Sequence, residues 1–243
     1  FGIYCRMLEM CELAEYVQGA TAEQVAAKIA EMREVFDFEG KSGDPLTRPA
    51  SDADIEWSAR CAVGLDWLVA THNLAGLAYY YEGENDNLNE RIGSNLIVGN
   101  TLLTSRGISL AGEADMKNCL AMKTTSALGA GGSFAELSII DFDRQEVYVG
   151  HDGPHDLRIC DGRPSVRGLS LYHGKKGRGI AVEFSIKKGP ITMVSLALDG
   201  RNRFKFVVAE GWSMPGRLPQ IANTVTRGYF GPDIAAFLRA WSM

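Results

Sequence analysis

Three side chains stand out by type and placement: Glu113, Glu136 and His151. Glu113 follows a short apolar stretch that reads as a strand. The C-terminal ends of strands are where open α/β sheets build their sites. Glu136 comes 23 positions later, after a glycine-rich link, and His151 ends a further strand 15 positions beyond that. Two carboxylates and an imidazole form a donor set for a divalent ion of intermediate hardness. Mn2+ is the natural candidate, with Mg2+, Co2+ or Fe2+ as competitors. Strand-end glutamates are also common without a metal, and a single histidine is often structural, so spacing alone leaves the structural reading open.

These residues must be positioned by the elements around them. Up to about residue 130, short strands alternate with helices. Residues 3–7 read as a strand. Thr21 and Gln24 fit a capping box for a helix over 22–36. Ser51 caps a second helix over 52–70, with Ile55, Ala59, Val63 and Trp67 on one face. Residues 74–81 read as a buried strand, 87–107 as helix interrupted at Gly93 and Gly99, 108–111 as a strand and 114–128 as a helix. Alternation of this kind implies βαβ units and a mostly parallel sheet. After Ser133 the texture becomes strand-rich: 135–142, 146–151, 157–160, 179–186, 191–198 and 204–209, separated by turns such as Asp161-Gly162 and Asp199-Gly200. A helix over 232–241 follows. The expected fold class is α/β, a parallel sheet with flanking helices followed by a mainly antiparallel sheet or barrel. The expected domains are residues 1–133 and 134–243.

Composition narrows the function classes. The 243 residues are 46% hydrophobic and 23% charged, which excludes a disordered chain. No apolar run approaches the roughly 18–20 residues that span a bilayer. A net charge of −5 argues against nucleic acid and against anionic membrane surfaces. The local basic run Lys175, Lys176, Arg178, Lys187 and Lys188 reads as a solvated hairpin face. The five cysteines are scattered without a Cys-x-x-Cys pair, so a disulfide framework or zinc ribbon is not expected. Idle thiols in a reducing cytoplasm are the expectation. The glycines at 129–132 lack the Lys-Ser/Thr ending of a P-loop and precede a strand rather than a helix, which argues against a phosphate cradle.

Local sequences around the three residues add a family signal. Ala111-Gly112-Glu113-Ala114-Asp115-Met116-Lys117 resembles the metal-site motif of L-arabinose isomerases, Gly-Glu-Gly-Asp followed by an aromatic residue and Lys. Gly131-Gly132-Ser133-Phe134-Ala135-Glu136 is similar to their Gly-Gly-x-Ser-Phe-Met-Glu, and Val149-Gly150-His151 to their Gly-(Ser/Ala)-His. The order Glu, Glu, His is kept. The resemblance extends to the wider L-fucose/L-arabinose isomerase superfamily and covers most of the chain after residue 70.

The resemblance implies an aldose–ketose isomerase holding Mn2+, with Glu113, Glu136 and His151 as ligands. Glu113 and Glu136 would also move a proton between C1 and C2 of a monosaccharide through a cis-enediol. The residue types suit that chemistry. A cation on the two substrate oxygens stabilises charge developing on the enediolate. One carboxylate removes the carbon-bound proton and the other serves the oxygens. Their roles are interchangeable at this level. The family also implies a cytoplasmic homo-trimer or hexamer.

Departures accompany the match. The segments between ligands are shorter than in arabinose isomerases, and His151 is followed by Asp152-Gly153-Pro154, which suggests a separate branch and leaves the sugar open. The family's fourth ligand is a His in a Gly-(Ala/Pro)-x-His-His segment after a helix containing Ala-Trp. Here Ala240-Trp241-Ser242-Met243 stands at that point, so the chain is expected to be a piece of a longer protein. Tyr81 and Glu82, at a strand end, are candidates for sugar hydroxyls or simply a strand-end aromatic and a solvated acid. Asp152 lines the pocket or opens the turn. Asp115 and Lys117 either orient Glu113 or belong to the helix start. His155 and His173 are expected in surface loops, and His72 near a helix C-terminus. The main alternative function is a sugar-binding or regulatory module of the same fold without catalysis; an unrelated metal hydrolase is a third reading.

Overall fold

A computed structural model describes residues 2–38, 47–80, 87–151, 153, 155–169, 171–172, 175–176, 179–215 and 224–242. The helical half begins with α1 (Met10–Gly19) and α2 (Ala22–Val35), then the two-residue β1 (Thr47–Arg48), then α3 (Asp52–His72). Both anticipated capping boxes form. Thr21 Oγ1 accepts from Gln24 N while Thr21 N donates to Gln24 Oε1 (2.9 Å), and Ser51 and Asp54 repeat the exchange. Each box satisfies two backbone donors that the first helical turn leaves open. On α3, Ile55, Ala59 and Val63 are buried, with Trp67 packed beside them. The helix runs two residues further than expected and ends at Asn73 in the left-handed region.

Next come β2 (Gly76–Ala78), α4 (Leu88–Gly93), α5 (Ile97–Ser105), β3 (Ser109–Ala111) and α6 (Met116–Ala127). β2 and β3 pair in parallel, Gly76 opposite Ser109, with helices alongside. The expected helix over 87–107 is two helices, broken after Gly93. Gly99 does not interrupt α5. It lets α5 close on α3, where a Cβ would meet Ala62 Cα at 3.0 Å. The expected strand over 74–81 is shorter and only half-buried, and the expected strand over 3–7 is absent. Tyr4 and Met7 lie exposed there, with no ladder partner among the described residues.

The second half is β4 (Glu136–Asp141), β5 (Glu146–His151), β6 (Cys160–Leu169), β7 (Leu171–Tyr172), β8 (Lys175–Lys176), β9 (Ile180–Ile186), β10 (Gly189–Leu198), β11 (Phe204–Ser213), β12 (Thr224–Tyr229) and α7 (Ile234–Trp241). One eight-stranded sheet runs β1-β6-β9-β12-β11-β10, with β5 also on β12 and β4 on β5. All its pairings are antiparallel except a single parallel bridge, Val225 to Ser185. The fold class is therefore α/β: a small parallel sheet flanked by helices, then a mainly antiparallel sheet. Residues 157–159 form a 3-10 turn rather than the start of a strand. The Asp161-Gly162 turn signal is an irregularity inside β6, where the register against β9 shifts between Asp161 and Ser165.

One core cluster joins Met32 of α2 and Phe36 just after it, Ile55 and Ala59 of α3 and Val98 of α5 to Val166, Ile180 and Val182 of the large sheet. A charged cluster ties the helices together as well. Buried Lys28 donates to Glu31 (2.5 Å) and Asp66 (2.7 Å), and Arg106 pairs with Glu31. Burial opposes the charge on Glu31, but bonding to Lys28 and the charges of Lys28 and Arg106 outweigh it and hold its carboxyl below its ordinary pKa. No helix among the described residues is long and apolar enough to cross a membrane.

Candidate metal centre

Three separate elements deliver the three side chains. Leu110 and Ala111 of β3 are fully buried, as is Gly112 after them, and the chain emerges at Glu113. Glu113 and Ala114 then both take left-handed backbone conformations, φ +58° and +57°. The turn is held by Ala114 N donating to Tyr79 O (2.8 Å) and Asp115 N to Gly112 O (3.0 Å). Asp115 caps α6, its side chain accepting from Asn118 N (2.9 Å), and Lys117 is exposed. Between the two readings of Asp115, the structure shows the helix start.

Glu136 opens β4, and the β4–β5 register sets it opposite Gly150, the residue before His151. Antiparallel pairing thus carries a carboxylate to the imidazole across two strands. The His151 ring meets the ring of buried Phe134 in a T-shaped contact, with centroids 4.7 Å apart at 80°. Its Nδ1 donates to Gly153 O (2.5 Å), which leaves Nε2 as the nitrogen carrying the lone pair. Phe134 packs with Ala111, Cys119 and Met122, so one small cluster supports both the β3 end and the histidine.

The donor atoms of Glu113, Glu136 and His151 all lie within 4.8 Å of one another, the carboxylates exposed and the imidazole set deeper. Two ligands about 2.1 Å from one ion are at most roughly 4.2 Å apart, so small side-chain rotations suffice to share a cation. The donor set fits a divalent first-row ion: two hard anionic oxygens, one borderline nitrogen and an exposed side for further ligands. Two carboxylates at this separation repel each other, which a shared cation would reverse.

Strain marks the same turn. An alanine in the left-handed region costs about 1–2 kcal/mol, partly offset by the entropy a glycine would lose on folding. The motif that 111–117 resembles has glycine where Ala114 stands. Ala114→Gly is therefore expected to raise Tm by about 1–3 °C in thermal unfolding. A fall in Tm would show that Ala114 carries no net strain at this turn.

Tyr81, Glu82, Asp152 and His173 lie outside the described residues. The surface position expected for His155 is corrected: its ring is fully buried, edge-on to Phe184 at 5.3 Å. His72 is the last residue of α3 and pairs with Glu12 of α1. All five cysteines are free. Burial pushes the Cys61 thiol up strongly, and those of Cys119 and Cys160 to about 11, so these three are protonated at neutral pH. Sequence reasoning missed two features that flank His151: the Phe134 ring and the Gly153 carbonyl. The Gly-Gly-x-Ser-Phe-like stretch signalled the first; nothing local signalled the second.

The geometry thus defines a mixed α/β protein with a candidate two-carboxylate, one-imidazole metal centre. No family model matches the chain. An L-arabinose isomerase from Arthrobacter sp. (strain FB24) is 24% identical over 99% of this chain and 47% of its own length. The chain spans about half the length of the curated relative it matches, and the relationship is distant.

Proposed function

We propose that the protein is a divalent-metal-dependent aldose–ketose isomerase of the L-fucose/L-arabinose type, with Mn2+ as its ion. The supporting observation is that residues from three elements, each within a stretch resembling an isomerase motif, converge within 4.8 Å. The distant relation to an L-arabinose isomerase agrees with this reading. Glu113, Glu136 and His151 Nε2 would hold the ion. When bound, it supplies a positive charge that lowers the cost of negative charge developing on the sugar's two oxygens.

The protein's own groups do the rest. One carboxylate takes the proton from C2 of the open-chain aldose, leaving a cis-enediolate whose two oxygens lie on one side. The same carboxylic acid returns that proton to C1, while the second carboxylate transfers the hydroxyl proton from O2 to O1. The product is the ketose, and no proton is gained or lost overall. The exposed carboxylates are accessible to a sugar, and the ring of Phe134 restricts how His151 can turn.

The test is conversion of pentoses and hexoses by the full-length protein before and after chelation. Isomerisation abolished by chelator and restored by Mn2+ is the expected result. Sugar binding that ignores metal, with no conversion, would instead select the non-catalytic binding module, and cleavage products would select a hydrolase.

A further inference from the structure

We propose that Asp156 is a positioning residue that fixes the glycine-rich link ahead of β4, and so sets Glu136 and Phe134 against His151. The inference rests on reading the three side chains as a metal centre. Between the end of α6 and Glu136 the chain has no regular structure, and Gly129, Gly131 and Gly132 give it wide backbone freedom. Left to itself, such a link would not hold a ligand to the roughly 0.5 Å that a metal site requires.

Asp156 removes that freedom from both sides. Its Oδ2 accepts from Gly132 N (3.0 Å), and its own backbone N donates to Ser133 Oγ (2.8 Å). The residue is 1% exposed. Its buried charge is met by Arg158, whose Nε lies 3.0 Å from Oδ1 and whose Nη2 lies 2.7 Å from Oδ2. Arg158 Nη2 also donates to Ser126 Oγ (3.0 Å) near the end of α6. Gly131, at φ +77°, passes so close that a Cβ there would lie 3.0 Å from Asp156 Oδ2. The link is clamped between α6 and the segment after β5.

That segment also serves His151. Asp156 lies five residues after it, and Gly153 between them supplies the carbonyl that orients the ring. Leu157 N donates to Ser105 Oγ (2.9 Å), which anchors the segment on the buried helix α5. Ser133 immediately precedes Phe134 and stands three residues before Glu136. One buried carboxylate therefore joins the chain that delivers a glutamate to the chain that delivers the histidine. Groups that orient metal ligands in this way typically affect affinity 10–100-fold without touching the ion.

The test pairs Mn2+ titration calorimetry with NMR of the His151 imidazole in the metal-free protein, where the Phe134 ring current reports ring placement. Asp156→Asn keeps the shape but loses the charge facing Arg158. It is expected to weaken Mn2+ binding about 10–100-fold and to shift the His151 resonances. Ser133→Ala is expected to do the same more mildly, and Ser133→Thr, which keeps the hydroxyl, to restore both. The serine pair carries the test if Asp156→Asn does not fold. Folded variants with unchanged affinity and unmoved His151 resonances would overturn the proposal. If the unaltered protein binds no Mn2+, the metal reading fails, and shifted His151 resonances in the variants would then still support the positional role.

Discussion

Replacing either carboxylate of the centre, Glu113→Gln or Glu136→Gln, is expected to lower turnover of the sugar by about 1,000-fold or more in the full-length protein. A glutamine fills the same space and can still coordinate weakly through its oxygen. It cannot accept the carbon-bound proton, and general acid–base groups contribute about 100- to 10,000-fold. Loss of an anionic ligand adds to this by weakening the hold on the ion. The assay is best run at saturating Mn2+, so that the remaining deficit reports proton transfer. Folding is expected to be unaffected: both side chains are exposed, and removing one of two mutually repelling charges does not destabilise the metal-free protein. Either variant isomerising sugar at the unaltered rate would show that the roles have been misassigned.

The second large effect concerns stability and is independent of any catalytic reading. Arg227→Ala is expected to cost about 3 kcal/mol, a drop of roughly 6–12 °C in Tm. Arg227 on β12 donates from Nε to Glu146 Oε2 (2.8 Å) and from Nη2 to Oε1 (2.9 Å), joining β12 to β5. Glu146 is 5% exposed. Removing its partner strands a carboxylate in a low-dielectric site, which costs more than the intact pair contributes. The double variant Glu146→Gln/Arg227→Met is expected to recover much of the loss. β5 carries His151, so the same pair braces the strand beneath the candidate metal centre. A shift of less than 2 °C in the single variant would show that water reaches the carboxylate.

The sequence revealed most where a physical signal was local. The capping boxes at Thr21 and Ser51 start α2 and α3 as expected, because the bonds involved span only three residues. β5 matches expectation residue for residue, and β4 within one, because each is a short apolar stretch flanked by polar turns. The α/β class followed from the change of texture near Ser133. The candidate site was legible because chemically distinctive residues fall inside motif-like stretches, and the structure brings Glu113, Glu136 and His151 together.

What stayed hidden depends on distant partners. β6 reads as turns, since Asp161, Gly162 and Pro164 fall within it, yet pairing with β9 on either side of the irregularity keeps the strand going. β12 is short, and it contains Arg227 and Gly228. The arginine is tolerated because Glu146, 81 residues away, neutralises it. α1 lacks a side-chain cap, and its Leu13, Ala14 and Val17 are buried because α3 and α4 lie beside it. Asp156 gave no signal because its partners Gly132 and Ser133 are 24 and 23 residues away.

The most direct measurement is a crystal of the protein soaked in Mn2+ and examined by anomalous diffraction. The account predicts a single strong anomalous peak about 2.1–2.3 Å from one oxygen of Glu113, one oxygen of Glu136 and Nε2 of His151, with any remaining ligands on the exposed side. Glu113, Glu136 and His151 lying apart without density between them, or an ion bound elsewhere while these three stay empty, would contradict it.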